Sequence, residues 1–257
     1  MFDLSGQVAL VTGGNSGIGL GLADGLVRAG GSVCIWGTNA AKNAVALDRL
    51  RAVAFPSAIV EAAQVDVSDE AAVTAGFDSL GSAFGRLDSC FANAAVSGAF
   101  GNARFVDIEL ADWRAEMAVN LDGTFLTLRA AARMMIEQGG GGSLIATSSL
   151  AARFGAPRDA AYGAAKAAIV SLTQTLAVEL GKYGIRANAL LPGWTRSPMF
   201  DAWLERPEVS ERILPRIPLR RWGEPADWQA IAVYLAAKDS SFHTGDVFRI
   251  DGGYGVF

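Results

Sequence analysis

Cysteine and histidine are scarce in this chain, with two cysteines and one histidine in 257 residues. Cys34 and Cys90 each sit inside an apolar, strand-like run, which points to buried free thiols and leaves no disulfide framework. His243 has no Cys or His neighbour at ligand spacing, so no metal site is expected and the ring reads as structural. A basic surplus is also missing. Lys and Arg total 22 against 26 Asp and Glu, a formal charge of −4, so neither nucleic acid nor an anionic membrane is an expected partner. The uncharged stretch from Leu4 to Ala23 is long enough to raise the question of a membrane span. Six glycines interrupt it, however, and it reads as a strand running into a turn. No basic residue precedes Arg28, so the pattern of a secretory signal is not met and a cytoplasmic protein is expected.

What the chain has instead is apolar material, 51% of its residues. Strand candidates fall at Val8–Val11, Val33–Trp36, Ile59–Val65, Leu87–Ala92, Ser143–Thr147, Arg186–Leu190 and Val247–Ile250. Several are continuous aliphatic runs, as expected of a parallel sheet covered on both faces. Helical periodicity fills the gaps at Gly17–Ala29, Ala40–Val53, Asp69–Phe84, Asp112–Glu137, Asp159–Lys182 and Pro225–Ala237. This alternation predicts an α/β fold: one doubly wound, Rossmann-type parallel sheet of about seven strands spanning residues 1–257, with helices on both faces. Only 198–218 breaks the rhythm, with four prolines among Met199, Phe200, Trp203, Leu204, Ile213 and Leu214. It reads either as an apolar lid over a substrate pocket or as a surface loop carrying two short helices.

After the first strand come Thr12-Gly13-Gly14-Asn15-Ser16-Gly17-Ile18-Gly19, opening directly into a helix. Glycine lets the backbone turn tightly against a pyrophosphate, and the helix N-terminus offers unpaired N–H groups. A Gly-rich turn in this position, within a βαβ unit, is the context a dinucleotide site requires. About 20 residues further on, an NAD site usually places an acid; here the strand ends Trp36-Gly37-Thr38-Asn39, and Gly37 takes that position. The cofactor is therefore expected to be NAD(P)(H), with the balance tipped to NADP because no carboxylate opposes a 2′-phosphate. Lys42, one helical turn on, is a candidate source of positive charge.

Tyr162 and Lys166 stand four apart in a helical context and project from one face. A tyrosine with a pKa near 10 is a poor base at neutral pH. A neighbouring ammonium favours the phenolate, so Lys166 is expected to lower that pKa into a useful range. Ser149, at a strand end, is placed to hydrogen-bond an oxygen whose charge changes. By spacing alone, such a pair is more often a surface feature than a catalytic one.

These motifs, in this order, resemble the short-chain dehydrogenase/reductase family in its single-domain branch, from Val8 to Gly253. The glycine turn, with Gly13, Asn15, Ser16, Gly17, Ile18 and Gly19, resembles the cofactor turn. Asp66-Val67 resembles the pair that holds the adenine, and Asn93-Ala94-Ala95 resembles the family's Asn-Ala-Gly, with Ala95 departing from the usual glycine. Asn120, Ser149, Tyr162 and Lys166 fall on the catalytic tetrad, Ser149 standing thirteen before the tyrosine. Pro192-Gly193, Thr195 and Ser197 resemble the stretch beside the nicotinamide. Arg221-Trp222-Gly223-Glu224-Pro225 and Asp251-Gly252-Gly253 resemble the C-terminal signatures.

The resemblance implies an oxidoreductase that interconverts a secondary alcohol and a ketone, with Tyr162 as acid/base and Lys166 also reaching the nicotinamide ribose. It implies that Asn120 holds a water linking Lys166 to solvent, although Asn also marks a helix kink. The substrate is expected to be a small carbonyl or alcohol compound, apolar or cyclic if the lid reading holds; Arg153, Arg158 and Arg196 are candidates for meeting an acidic one. A homotetramer is implied, built on the helices at 107–137 and 159–182, with the tail Tyr254–Phe257 as a further contact. Two other functions use the same fold: an NAD(P)-binding regulator without turnover, and an epimerase or dehydratase that retains its cofactor.

Overall fold

A computed structural model describes residues 2–98 and 103–256. Seven parallel strands form one sheet: β1 (Val8–Thr12), β2 (Ser32–Gly37), β3 (Val60–Gln64), β4 (Ser89–Ala92), β5 (Gly142–Thr147), β6 (Ile185–Pro192) and β7 (Val247–Ile250). Their order is β3-β2-β1-β4-β5-β6-β7. The doubly wound parallel sheet expected from the alternating pattern is what forms.

The continuous apolar strands split the core in two because successive side chains point to opposite faces. Leu10, Cys34, Trp36, Cys90 and Leu144 turn one way, toward α3 (Glu70–Phe84), α5 (Gly123–Gln138) and α6 (Ala160–Leu180). Val11, Ile35, Phe91 and Ile145 turn the other way, onto α1 (Gly17–Arg28), α2 (Ala40–Val53) and α9 (Gln229–Ala236). Both cysteines are buried and free, and burial pushes the Cys34 thiol up to about 12 and Cys90 also upward. His243 lies by Tyr234 and Asp246, on the β7 side.

Two expectations change in detail. The helix expected over Asp112–Glu137 is interrupted. α4 (Leu110–Met117) passes into a π-helical turn at Ala118–Asp122 before α5 begins. The last helix opens with a 3₁₀ turn, Pro225–Trp228, fixed by reciprocal capping between Glu224 and Asp227. The 198–218 segment contains α7 (Asp201–Leu204) and α8 (Pro207–Ile213). It has a small core of its own, with Leu204, Val209, Ile213 and Ile217 packed against Trp222. Among the described residues no helix is long and apolar enough to cross a membrane.

Because every strand runs the same way, Thr12, Gly37, Gln64, Ala92, Thr147 and Pro192 all end along one edge of the sheet. The strand order reverses between β1 and β4, so the loops that follow them diverge and leave a crevice.

Candidate active site

A cavity of about 1160 Å³ occupies that crevice. Gly13, Asn15, Ser16, Gly17, Ile18 and Gly19 line it after β1; Gly37, Thr38 and Asn39 after β2; Asp66 and Val67 after β3; and Asn93 and Ala94 after β4. Ser149, Tyr162 and Lys166 line it from β5 and α6, and Pro192, Gly193, Thr195 and Ser197 from β6. Of the expected catalytic and cofactor-binding residues, Asn120 alone is not on its wall.

The turn after β1 is shaped for an anion. Gly13 has φ of +63° and Gly17 of +51°, conformations that side-chain-bearing residues rarely adopt. A Cβ on Gly17 would lie 2.8 Å from Cβ of Ser197, so the turn also packs directly on the loop that follows β6. Ser16 sits at the N-cap of α1 but makes no side-chain cap, and the first turn holds no acid. Its N–H groups are thus available to an anion at the positive end of a twelve-residue helix. Asn93 supports this turn from below: its Nδ2 donates to Thr12 O at 3.1 Å, and Thr12 Oγ1 accepts from the N–H of Asn93 and Ala94. Ala95 is not among the residues with positive φ, so the departure from glycine there carries no backbone strain.

At the end of β2, a Cβ on Gly37 would fall 2.2 Å from Asn15 Nδ2 and 2.6 Å from Asn43 Oδ1. Those two side chains are hydrogen-bonded at 2.7 Å, and Asn43 Nδ2 anchors the pair on the Gly37 and Ala63 carbonyls. An amide pair thus fills the space an acidic side chain would need. Lys42 lines the same end of the cavity.

The two serines after β5 divide their roles. Ser148 Oγ donates to the Lys166 carbonyl at 2.6 Å, locking the strand end to α6. Ser149 Oγ accepts from Ala151 N and faces the cavity beside Tyr162. Lys166 is 1% exposed; its Nζ donates to Thr147 O at 2.8 Å and lies 5.5 Å from the centroid of the Tyr162 ring. Thr147 Oγ1, at the same spot, is buried without a hydrogen-bond partner.

The expected lowering of the tyrosine pKa is not what the protein alone produces. Burial pushes Tyr162 up to about 12; the Ser149 hydroxyl pulls it down, while Asp159 and Glu116 push it further up. Burial lowers Lys166 to about 7. The physical reason is that both groups leave water, and the ammonium is directed at a carbonyl, not at the phenol oxygen.

The spacing of Tyr162 and Lys166 gave no sign of the acidic pair. Asp159, at the start of α6, accepts from Ser97 Oγ at 2.9 Å. One oxygen of Asp159 and one of Glu116 are buried without partners. Burial raises both carboxyls, the Asp159 charge raises Glu116 further, and the Gly98 N–H pulls each back down. Asn120 is fully buried in the π-helical turn, with Oδ1 accepting from Val96 N at 3.0 Å and Nδ2 donating to Val96 O at 2.8 Å. Its side chain clasps the loop after β4 instead of opening on the cavity.

One expectation about the outer wall changes. Arg196 pairs with Glu224 at 3.4 Å, and neither it nor Arg153 or Arg158 lines the cavity; Arg212 and Arg216 do. Tyr254 also lines the cavity and packs edge-on to Trp194.

A family model described as enoyl-(acyl carrier protein) reductase matches residues 13–255, and relatives along the full length are dehydrogenases. The chain belongs to the short-chain dehydrogenase/reductase family. It is 37% identical to a 2,5-dichloro-2,5-cyclohexadiene-1,4-diol dehydrogenase of Sphingobium indicum, over 99% of each chain. It is 36% identical to an NADP-dependent (R)-specific alcohol dehydrogenase of Lentilactobacillus kefiri, over 98% of this chain and 97% of that one. Among solved structures it resembles a gluconate 5-dehydrogenase of Burkholderia cenocepacia in complex with NADP and tartrate. The TM-score there is 0.91, with 34% identity over 100% of this chain and 98% of the other. As a member of this family, the chain is an NAD(P)-dependent oxidoreductase acting between CH–OH and C=O. The glycine turn, the uncapped N-terminus of α1 and the unpartnered Thr147 hydroxyl fit such a dinucleotide.

Proposed function

We propose that Tyr162 gives a proton to, or takes one from, the substrate oxygen, with Ser149 holding that oxygen as its charge changes. When bound, the nicotinamide supplies or accepts the hydride. Lys166, with a pKa brought to about 7 by burial, both takes and gives a proton near neutral pH and so resets Tyr162 between turnovers. Asn120 is a positioning residue: its clasp on Val96 holds the 93–98 loop against the cavity. What carries this reading is the meeting of Ser149, Tyr162 and Lys166 at the end of β5, on the cavity that also contains the glycine turn.

The residues that would hold the dinucleotide are Gly13, Asn15–Gly19, Gly37–Asn39, Asp66-Val67, Asn93-Ala94, Pro192, Gly193, Thr195 and Ser197, all of which line the cavity. NADP is the preferred form, since the Asn15–Asn43 pair stands where an acid would oppose the 2′-phosphate and Lys42 lies nearby. The 198–218 segment is the substrate lid; Met199, Phe200, Trp203 and Ile213 face the cavity from it. Two buried free thiols suit a reducing compartment, the cytoplasm. Exposed Phe125 and Ile136 on α5 and Val178 on α6 support a homotetramer; light scattering at micromolar concentration should give four chains, and a monomer would refute it.

The decisive variant is Tyr162→Phe, which removes one hydroxyl and keeps the ring. Turnover should fall by about 10²- to 10⁴-fold, with NADPH binding by fluorescence nearly intact. A wild-type rate would overturn the assignment.

A further inference from the structure

The charges that the 198–218 segment brings to the cavity are unbalanced. The 198–218 segment carries four acids, Asp201, Glu205, Glu208 and Glu211, and none of them lines the cavity. Asp201 is turned to the Ser197 N–H at 3.0 Å. Its two cavity-lining charges are Arg212, in α8, and Arg216, in the 3₁₀ turn that follows. Glu208 stands four residues before Arg212, the favoured arrangement for a helical ion pair. No such pair forms: among the described residues neither arginine lies within 4.0 Å of an acid.

Beside Arg216 the cavity lining is aromatic. Trp194 and Trp203 stack at 5.1 Å with 25° between their planes. Tyr254 meets Trp194 edge-on at 6.1 Å, and the Arg216 guanidinium carbon sits 4.6 Å from the centroid of Tyr254. Stacking over a ring holds the guanidinium plane and leaves its N–H edges to face a planar anion. Two acids line the cavity among the described residues: Asp66, which follows β3 and accepts from Ser68, and Asp159, which is engaged with Ser97 and whose pKa burial raises.

We propose that Arg212 and Arg216 form an anion subsite, so that the substrate has a ring-sized apolar body, a secondary alcohol or ketone, and a carboxylate-like anionic group distal to it. The aromatic wall takes the body, and the lid arginines take the anion. This rests on the reading of Tyr162 as the point of chemistry.

The test uses the NADPH-loaded enzyme with 4-oxocyclohexanecarboxylate and the matching carboxamide, which differ in charge and little in shape. The wild type should prefer the acid in kcat/KM by about 10- to 100-fold, the range for hydrogen bonds to charged groups, mostly through KM. That preference should shrink as KCl is added. In the double variant R212Q/R216Q the acid-to-amide ratio should approach one. Because the ratio is taken within one preparation, a partly misfolded sample does not alter it. Tryptophan fluorescence gives a readout without turnover: cyclohexanecarboxylate should bind the loaded enzyme more tightly than its amide. A wild-type ratio near one, a ratio unmoved in the variant, or equal binding of the two ligands overturns the subsite. Failure to oxidise NADPH with these and with neutral cyclic ketones would instead refute the reading of the catalytic centre.

Discussion

Lys166 directs its ammonium at the Thr147 carbonyl, 2.8 Å away, and lies against the edge of the cavity with almost no exposure to water. Its partner is thus a dipole at the end of β5, and among the described residues no carboxylate pairs with it. An ammonium in that position is costly to keep, which is why its pKa falls toward 7.

That fall makes a stability prediction with a definite sign. Between about pH 7 and 10.5 the unfolded chain binds the lysine proton while the folded chain releases it. Stability of the cofactor-free protein should therefore rise with pH through this window, by at most about 1.4 kcal/mol per pH unit from this group. Lys166→Met should remove that component. Urea midpoints measured from pH 6 to about 10 check it, and equal slopes for variant and wild type would contradict the argument.

Glu116 and Asp159 have the opposite linkage. Their folded pKa values are raised above 4.5 and 3.8, so the stability they contribute is present in acid and is lost as pH rises through the folded values. Glu116→Gln keeps the shape and removes one of two buried like charges. The fall in urea midpoint from about pH 4 toward neutrality should become shallower. Because the Glu116 charge also raises Tyr162, the tyrosine limb of the pH–rate profile should move to lower pH. An unchanged limb would show that the pair is electrically remote from the phenol.

Gly37→Asp tests the amide pair at the end of β2. A carboxylate there should lower the NADP-to-NAD ratio of kcat/KM by repelling the 2′-phosphate. Its Cβ also runs into Asn15 and Asn43, so the change should cost about 1–3 kcal/mol of stability, as overpacking usually does. Paired cofactor titrations and urea unfolding separate the two effects. A variant as stable as the wild type would mean that the asparagines move aside freely.

Much of the site was legible because its parts are local. A glycine turn after a strand, a Tyr and a Lys one helical turn apart, and a strand ending in Gly37 are all short-range patterns, and each falls on the cavity wall. Asn120 was legible only in part. Its poor helix propensity marked the break that becomes the π-helical turn, but its bonds to Val96 join residues 24 apart in sequence. The choice of arginines was misread for the same reason, since Arg153, Arg158 and Arg196 are near the motifs in sequence while Arg212 and Arg216 are brought in by the small core of the 198–218 segment.

By itself, then, the sequence determined the parallel sheet, through strands apolar on both faces, and singled out Ser149, Tyr162 and Lys166 as candidates, through the family resemblance of the ordered motifs and not through spacing alone. The tertiary structure alone decided which charges face one another. It buried Lys166 against Thr147, set Glu116 beside Asp159, seated an amide pair at Gly37 and turned Arg212 and Arg216 inward. The reason is physical: a pKa or an ion's partner depends on the distance to water and to groups remote in the chain, and no local pattern of residues encodes those distances.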